Sequence, residues 1–526
     1  MRKPTAQEAG QFLTLPTVGE SYSGMTGNPF SLLCRQELLP SKFTFPCRDT
    51  VHFGSLHDGR PFFYPLPAMK RHVCIYGQNG SGKAFFLRYL ISQLHQAEVD
   101  VLIIDPVKRE FRPMLRELPD LKVFTANAAP SPFLLNPFLP PAGMPLGAYK
   151  GYLADIFQAV FQMESPLPAL FSRCIDDCYK LHGWRDDSRL DDEGVEIFTM
   201  YDFAAVFQQT IRSSNYSAEV KGNLMSGGVY RLMSLISRCP AVFETVRSVP
   251  VEDLMRGGAI LELDSLEGEQ KLIVTFVTLI GVLGHLRSRK ERRQCALVLD
   301  EAHLLLSHTD GGEDKAAALL RQLVMDCISE LRTLGCGVIL ADQSPSRLGG
   351  TILSGADMSI LFRLKGEEAV IAAKALALTT DEARLLPLLG SGEAVAKSGE
   401  LQLQSALGFT VPRLEQAELL EDEAVRAAMA DYHALHARDF RPFPACAENP
   451  FCRFGCCASI RQQAAVEAAK MAANYANRFT DYRGVGVALQ EGEQFMEDSP
   501  RGRHLHTCTG IQLAQRLRVE RDRGSG

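Results

Sequence analysis

The feature that most constrains this chain is a short run, Gly77-Gln78-Asn79-Gly80-Ser81-Gly82-Lys83, beginning where the β-rich stretch His72-Val73-Cys74-Ile75-Tyr76 stops. Behind it, Phe85 to Leu94 places apolar residues at helical spacing. Strand, glycine-rich loop and helix is the arrangement in which successive backbone N–H groups close around a phosphate at a helix N-terminus. The glycines and the lysine fall where a Walker A loop requires them, so Gly77, Gln78, Asn79, Gly80, Ser81, Gly82 and Lys83 are read as an ATP cradle, with Lys83 bridging the β- and γ-phosphates. A plain glycine turn ahead of any α/β helix is the alternative; the spacing, the preceding strand and an acidic motif downstream speak against it. The next position departs from the pattern. A Ser or Thr there normally ligates Mg²⁺, and the methyl group of Ala84 cannot. Three readings stay open at this point: water takes the hydroxyl's place with loss of rate, ATP is bound and poorly turned over, or the alanine is an engineered change.

The acidic motif is Ala296-Leu297-Val298-Leu299-Asp300-Glu301, an apolar strand ending in two carboxylates. Asp300 is read as the Mg²⁺-holding residue and Glu301 as the base that polarises the attacking water. An Asp-Glu pair can also simply open a helix, but the buried strand before it favours chemistry. One strand later, Val338 to Ala341 runs into Asp342-Gln343, and Gln343 is read as a γ-phosphate sensor at a strand's carboxyl end. Arg332 and Arg363 are the candidate arginines for transferred phosphoryl charge, supplied between subunits. Either could equally form a surface ion pair.

Buried-type strands recur at Val101 to Ile104, Ala259 to Leu263, Cys295 to Leu299, Gly337 to Ala341 and Met358 to Leu364, with further strands near Glu393 to Lys397 and Ser405 to Phe409. Continuous apolar strands between helices predict an α/β fold, a RecA-like P-loop NTPase with a mostly parallel sheet. The expected division is an extended arm over 1–50, an ATPase domain over 51–412 with a helical insertion at about 147–236, and a C-terminal helical, Cys-rich region over 413–526. The net charge of -6 excludes a surface that binds nucleic acid indiscriminately, so any DNA contact must be local. The longest apolar run, Leu272 to Leu283, is shorter than the roughly 20 residues a membrane span needs and reads as a buried helix. No membrane insertion is expected, and the scattered cysteines place the chain in the cytoplasm. The cluster Cys446, Cys452, Cys456 and Cys457, with His504, His506 and Cys508 further on, could hold structural Zn²⁺ or consist of ordinary buried thiols. The basic residues from Arg287 to Arg293 read as a solvated helix end rather than a DNA contact.

These elements together resemble the HerA/FtsK superfamily, in particular its HerA-like and conjugative-ATPase branch. The resemblance rests on His72 to Lys83, Asp105-Pro106, Leu135-Asn136-Pro137-Phe138, Asp300-Glu301-Ala302-His303 and Gln343-Ser344-Pro345-Ser346, spanning roughly residues 50 to 410. It implies a homo-oligomeric ring, a hexamer, with Mg-ATP sites between subunits and double-stranded DNA threaded through the pore. Relatives act as translocases or helicases, some with a nuclease partner and others in DNA transfer. The chain departs from that pattern at Ala84, and its arm before residue 50 is too short for the N-terminal β-barrel of typical HerA proteins. A rival expectation is a nucleotide-gated scaffold that binds ATP and controls a partner effector with little hydrolysis.

Overall fold

The computed structural model describes residues 39–436, except 48, 129, 191, 193–194, 196, 244, 246, 290–292, 307–314, 402–405 and 413–417. Eleven strands form one sheet: β1 (Thr50–Leu56), β2 (Pro61–Pro65), β3 (Val73–Tyr76), β4 (Asp100–Asp105), β5 (Lys122–Thr125), β6 (Ala259–Glu262), β7 (Cys295–Leu299), β8 (Cys336–Asp342), β9 (Met358–Leu361), β10 (Glu393–Ser398) and β11 (Leu407–Thr410). Their spatial order is β2-β1-β11-β10-β9-β3-β8-β7-β4-β6-β5. From β9 to β5 every neighbouring pair is parallel, as the apolar runs predict. Every residue of β3, β4, β6, β7 and β8 is buried, because helices cover both faces of this part. At the other flank, β10, β11, β1 and β2 are antiparallel, and the alternating burial of β2 is that of a half-covered edge.

This order positions the site. The strand carrying the phosphate loop, β3, sits between β8 and β9, and β8 in turn separates it from β7. Tyr76 pairs with Asp342 and Leu299 pairs with Leu340, so the glycine-rich loop, Gln343 and the acidic pair leave three adjacent carboxyl ends.

The predicted helical insertion lies between β5 and β6. Its helices are α1 (Leu146–Val160), α2 (Leu167–Leu181), α3 (Met200–Ser213), α4 (Ala218–Leu224) and α5 (Arg231–Arg238), the last two joined by a π-helical stretch at Met225–Tyr230. Phe138, Phe157, Phe171, Phe203 and Phe207 form its aromatic centre, with ring centroids 4.5 Å apart for Phe138 and Phe203. The Thr199 hydroxyl and the Asp202 carboxylate complete a reciprocal capping box that starts α3. The long apolar run becomes α6 (Gly268–Ser288), long and apolar enough to cross a membrane, yet 72% of its apolar window is buried in this fold. The C-terminal region begins with helices at Asp422–Ala428 and Ala430–His436. They lie against the edge strand β5, where the Val123 N–H donates to Met429 Sδ and the Tyr432 ring meets Phe124 edge-on.

Candidate functional site

The loop is shaped by glycine where no other residue serves. Gly80 and Gly82 have φ of +74° and +106°, and a Cβ on Gly82 would come within 2.8 Å of the Gly392 backbone nitrogen. Gly392 in turn donates its N–H to the Ser81 carbonyl at 2.8 Å, bracing the loop from the β10 side. The helix that follows, Lys83–Gln96, starts on Gly82 with no side-chain cap. Its first-turn N–H groups therefore stay available to an anion, where the helix dipole also favours negative charge. Ala84 occupies the second position of this helix and offers no oxygen.

Lys83, Asp300 and Glu301 converge below the loop. The Lys83 ammonium donates to Asp300 Oδ1 at 2.9 Å and lies 3.9 Å from Glu301 Oε1. Burial works against its charge, but the carboxylates of Asp300, Glu301 and Asp342 outweigh that and hold it above its ordinary pKa. Gln343 donates from Nε2 to Glu301 Oε1 at 2.5 Å, so the predicted sensor touches the predicted base directly. Glu301 Oε2 is buried and has no hydrogen-bond partner among the described residues. The Glu301 backbone sits at φ +46°, a conformation disfavoured for side chains with a Cβ, in the turn between β7 and the short helix His303–Leu306.

Asp342 holds that turn. Its Oδ2 accepts the His303 backbone N–H at 2.7 Å and pairs with the ring Nδ1 at 2.9 Å, and its Oδ1 accepts the Ser344 N–H at 3.0 Å. Burial alone would raise the Asp342 carboxyl, but the bonds from His303 and Ser344 prevail and keep it below the usual range. Arg347 lies 3.0 Å from His303 Nε2 and can only donate, so Nε2 accepts and Nδ1 carries the proton given to Asp342. Glu301, His303 and Asp342 have candidate metal-ligand atoms within 4.8 Å of one another. An ion on Nδ1 would force the imidazole proton onto Nε2, against the Arg347 donors, so this group is a hydrogen-bonded brace rather than a ligand set. Asp300 instead fits Mg²⁺, an oxygen-preferring ion that keeps several waters, while the orphaned Glu301 oxygen suits a water to be deprotonated.

Asp105, at the end of β4, completes the acidic rim. It is 1% exposed, and burial, with Asp300 and Glu262 nearby, pushes its carboxyl up to about 6 against the pull of N–H groups from Lys108 and Val107. Lys108 places its ammonium 3.6 Å from Glu301 Oε1.

Arg363 follows β9 and stands beside its own chain's loop: its carbonyl accepts the Gln78 N–H at 3.2 Å, and its buried Nε has no partner among the described residues. Arg332 lies elsewhere, near His72 at the start of β3, where its charge helps burial to lower the His72 pKa. Within one chain it is not brought to the loop. The basic run is partly consumed by pairing, Arg287 with Glu330 and Arg293 with Asp100. Cys446, Cys452, Cys456 and Cys457, the proposed Zn²⁺ group, lie outside the described residues, as does most of the N-terminal arm. The cysteines within the described residues are free thiols.

A family model, the helicase HerA central domain, matches residues 51–145, which include the phosphate loop. Among solved structures, VirB4 of Thermoanaerobacter pseudethanolicus is similar at a TM-score of 0.56 and 16% identity, covering 72% of this chain and 100% of that one. The bacterial conjugative coupling protein TrwB follows at 0.50 and 13%, covering 76% of this chain and 97% of that one. Residues 51–145 are thus of the HerA central-domain type, set within the α/β P-loop NTPase fold that the chain shares with these ATPases. At these identities the solved structures establish the fold alone, and no curated protein matches the chain in sequence. Asp342, His303, Arg347 and Lys108 are residues at this site that sequence reading did not single out for chemistry. Asp342 had one signal: it is a charged residue ending an otherwise apolar strand.

Proposed function

We propose that this chain is an ATP-driven motor acting on double-stranded DNA, assembled as a homo-oligomeric ring, a hexamer, in the cytoplasm, and working with a nuclease or other effector. The observation that carries the reading is the convergence of Lys83, Asp300, Glu301 and Gln343 at the carboxyl ends of three adjacent strands. Lys83 and the loop N–H groups would hold the ATP phosphates, and Asp300 would hold Mg²⁺ through its waters. That ion would neutralise charge on the phosphates during transfer. Glu301 would take the proton of the attacking water on its free oxygen, while Gln343 reads whether the γ-phosphate is present. Arg363, whose carbonyl accepts from Gln78, is proposed to meet the nucleotide of its own subunit, and Arg332 to act only across an interface. The likeness in fold to VirB4 and to a conjugative coupling protein supports DNA handling.

One observation favours a second reading. Ala84 removes the loop's own Mg²⁺ ligand, which suits a nucleotide-gated scaffold that binds ATP and turns it over slowly. Steady-state ATP hydrolysis with and without long duplex DNA separates the two. Turnover that DNA stimulates and Glu301→Gln abolishes supports the motor; ATP binding without turnover above the Glu301→Gln background supports the scaffold.

A further inference from the structure

The turn after β4 is built more firmly than a connection requires. Asp105 accepts N–H groups from Val107 at 3.2 Å, Lys108 at 3.0 Å and Glu110 at 3.0 Å, folding residues 105–110 back on the strand end. Lys271 of α6 donates to the Pro106 carbonyl at 2.7 Å. Arg109 binds Asp264 at 2.9 Å, and Arg112 grips Glu262 through two nitrogens at 2.6 and 2.8 Å. Both arginines also reach Asp422 in the C-terminal region. The turn is thus fixed from three directions, and it directs the Lys108 ammonium towards the acidic pair.

We propose that Lys108 is a positioning residue that holds one carboxylate oxygen of Glu301 so that the other faces the attacking water. The proposal rests on the reading of Glu301 as the base. Lys108 Nζ lies 3.6 Å from Glu301 Oε1, the oxygen that also accepts from Gln343, whereas Oε2 has no hydrogen-bond partner among the described residues. Two other groups compete for this carboxylate: Lys83 is 3.9 Å from Oε1, and His303 Nδ1 is 3.6 Å from Oε2. When ATP draws Lys83 towards its phosphates, Lys108 and Gln343 remain as the donors that keep Oε1 engaged. Glu110, with Oε1 3.8 Å from Lys108 Nζ, shares the cation and limits how tightly it binds Glu301.

The test compares Lys108→Met and Lys108→Arg in the full chain. Lys108→Met is expected to lower kcat roughly 10- to 100-fold, the scale of a misaligned reacting group, with KM for ATP unchanged. Lys108→Arg, which keeps a cation of similar reach, recovers most of that loss. Equal impairment in the Met and Arg variants, or a KM rise that accounts for the loss, overturns the proposal. If the natural chain does not turn over, the kinetics are run in an Ala84→Thr background. The contact is also read without turnover, by a double-mutant cycle of Lys108→Met and Glu301→Gln on the unfolding midpoint of nucleotide-free protein. Non-additive midpoints support the contact and additive ones remove it, whichever way the motor reading falls.

Discussion

Replacing Arg112 with Met tests the clamp on which the site's second turn depends. Arg112 and Glu262 are 4% and 0% exposed, so the substitution leaves a carboxylate in the interior with two of its short donors gone. Breaking a buried pair from one side costs about 3–5 kcal/mol. The lower end applies here, because Thr125 still donates to Glu262 at 2.8 Å and the Arg109 guanidinium stands 4.0 Å away. Over the roughly 400 residues from 39 to 436, an unfolding entropy of about 2.1 cal/mol/K per residue converts ~3 kcal/mol into a fall of about 4 °C in the unfolding midpoint. Differential scanning calorimetry at pH 7.5 measures it. Adding Glu262→Gln removes the stranded charge and should recover the midpoint. Because the same turn carries Lys108, Arg112→Met should also lower turnover at temperatures where the chain is still folded. A single-variant shift under about 1 °C would mean that Glu262 is hydrated, and the clamp argument would fall.

Asp105 sets a pH dependence of defined sign. Its folded value of about 6 lies above the ordinary 3.8, so the folded chain holds a proton that the unfolded chain has released; the stability this gives at low pH is lost as pH rises through about 4 to 6. The amplitude is on the order of 3 kcal/mol, and Asp105→Asn should flatten that part of the stability curve; a curve unchanged by the substitution refutes the assignment. Ala84→Thr should raise ATP turnover with little change in ATP affinity if the missing hydroxyl limits hydrolysis, and under the scaffold reading it should shorten the lifetime of the assembled state. Gln343→Ala frees Glu301 Oε1 and should lower kcat while nucleotide affinity, measured by calorimetry, holds. Equal losses in kcat and affinity would instead mean that Gln343 serves to bind the nucleotide rather than to hold Glu301.

The parallel half of the sheet was legible because its strands are buried on both faces and carry apolar residues continuously, as Cys295–Leu299 does. Strand β5 was not. Lys122-Val123-Phe124-Thr125 offers only two apolar residues, and its edge is covered by Met429, far away in the chain. The antiparallel flank joins Ser55 to Thr410, a pairing between distant pieces that no local period encodes. In the site, Lys83, Asp300, Glu301 and Gln343 were readable because loop spacing and strand ends fix them. Lys108 was hidden because its role comes from the Asp105 turn, whose shape depends on side-chain hydrogen bonds rather than on a motif. Arg332 carried an appropriate residue type, but the fold places it beside His72, at the start of the loop strand, away from the loop in its own chain.

Lys83, Asp300, Glu301 and Gln343 are proposed to form a working ATP site coupled to DNA. Steady-state hydrolysis by the full chain with Mg²⁺, titrated with long duplex DNA and compared with Glu301→Gln, tests it most directly. Turnover should rise with duplex DNA and disappear in Glu301→Gln; bound ATP with turnover no higher than in Glu301→Gln, with or without DNA, would refute a motor.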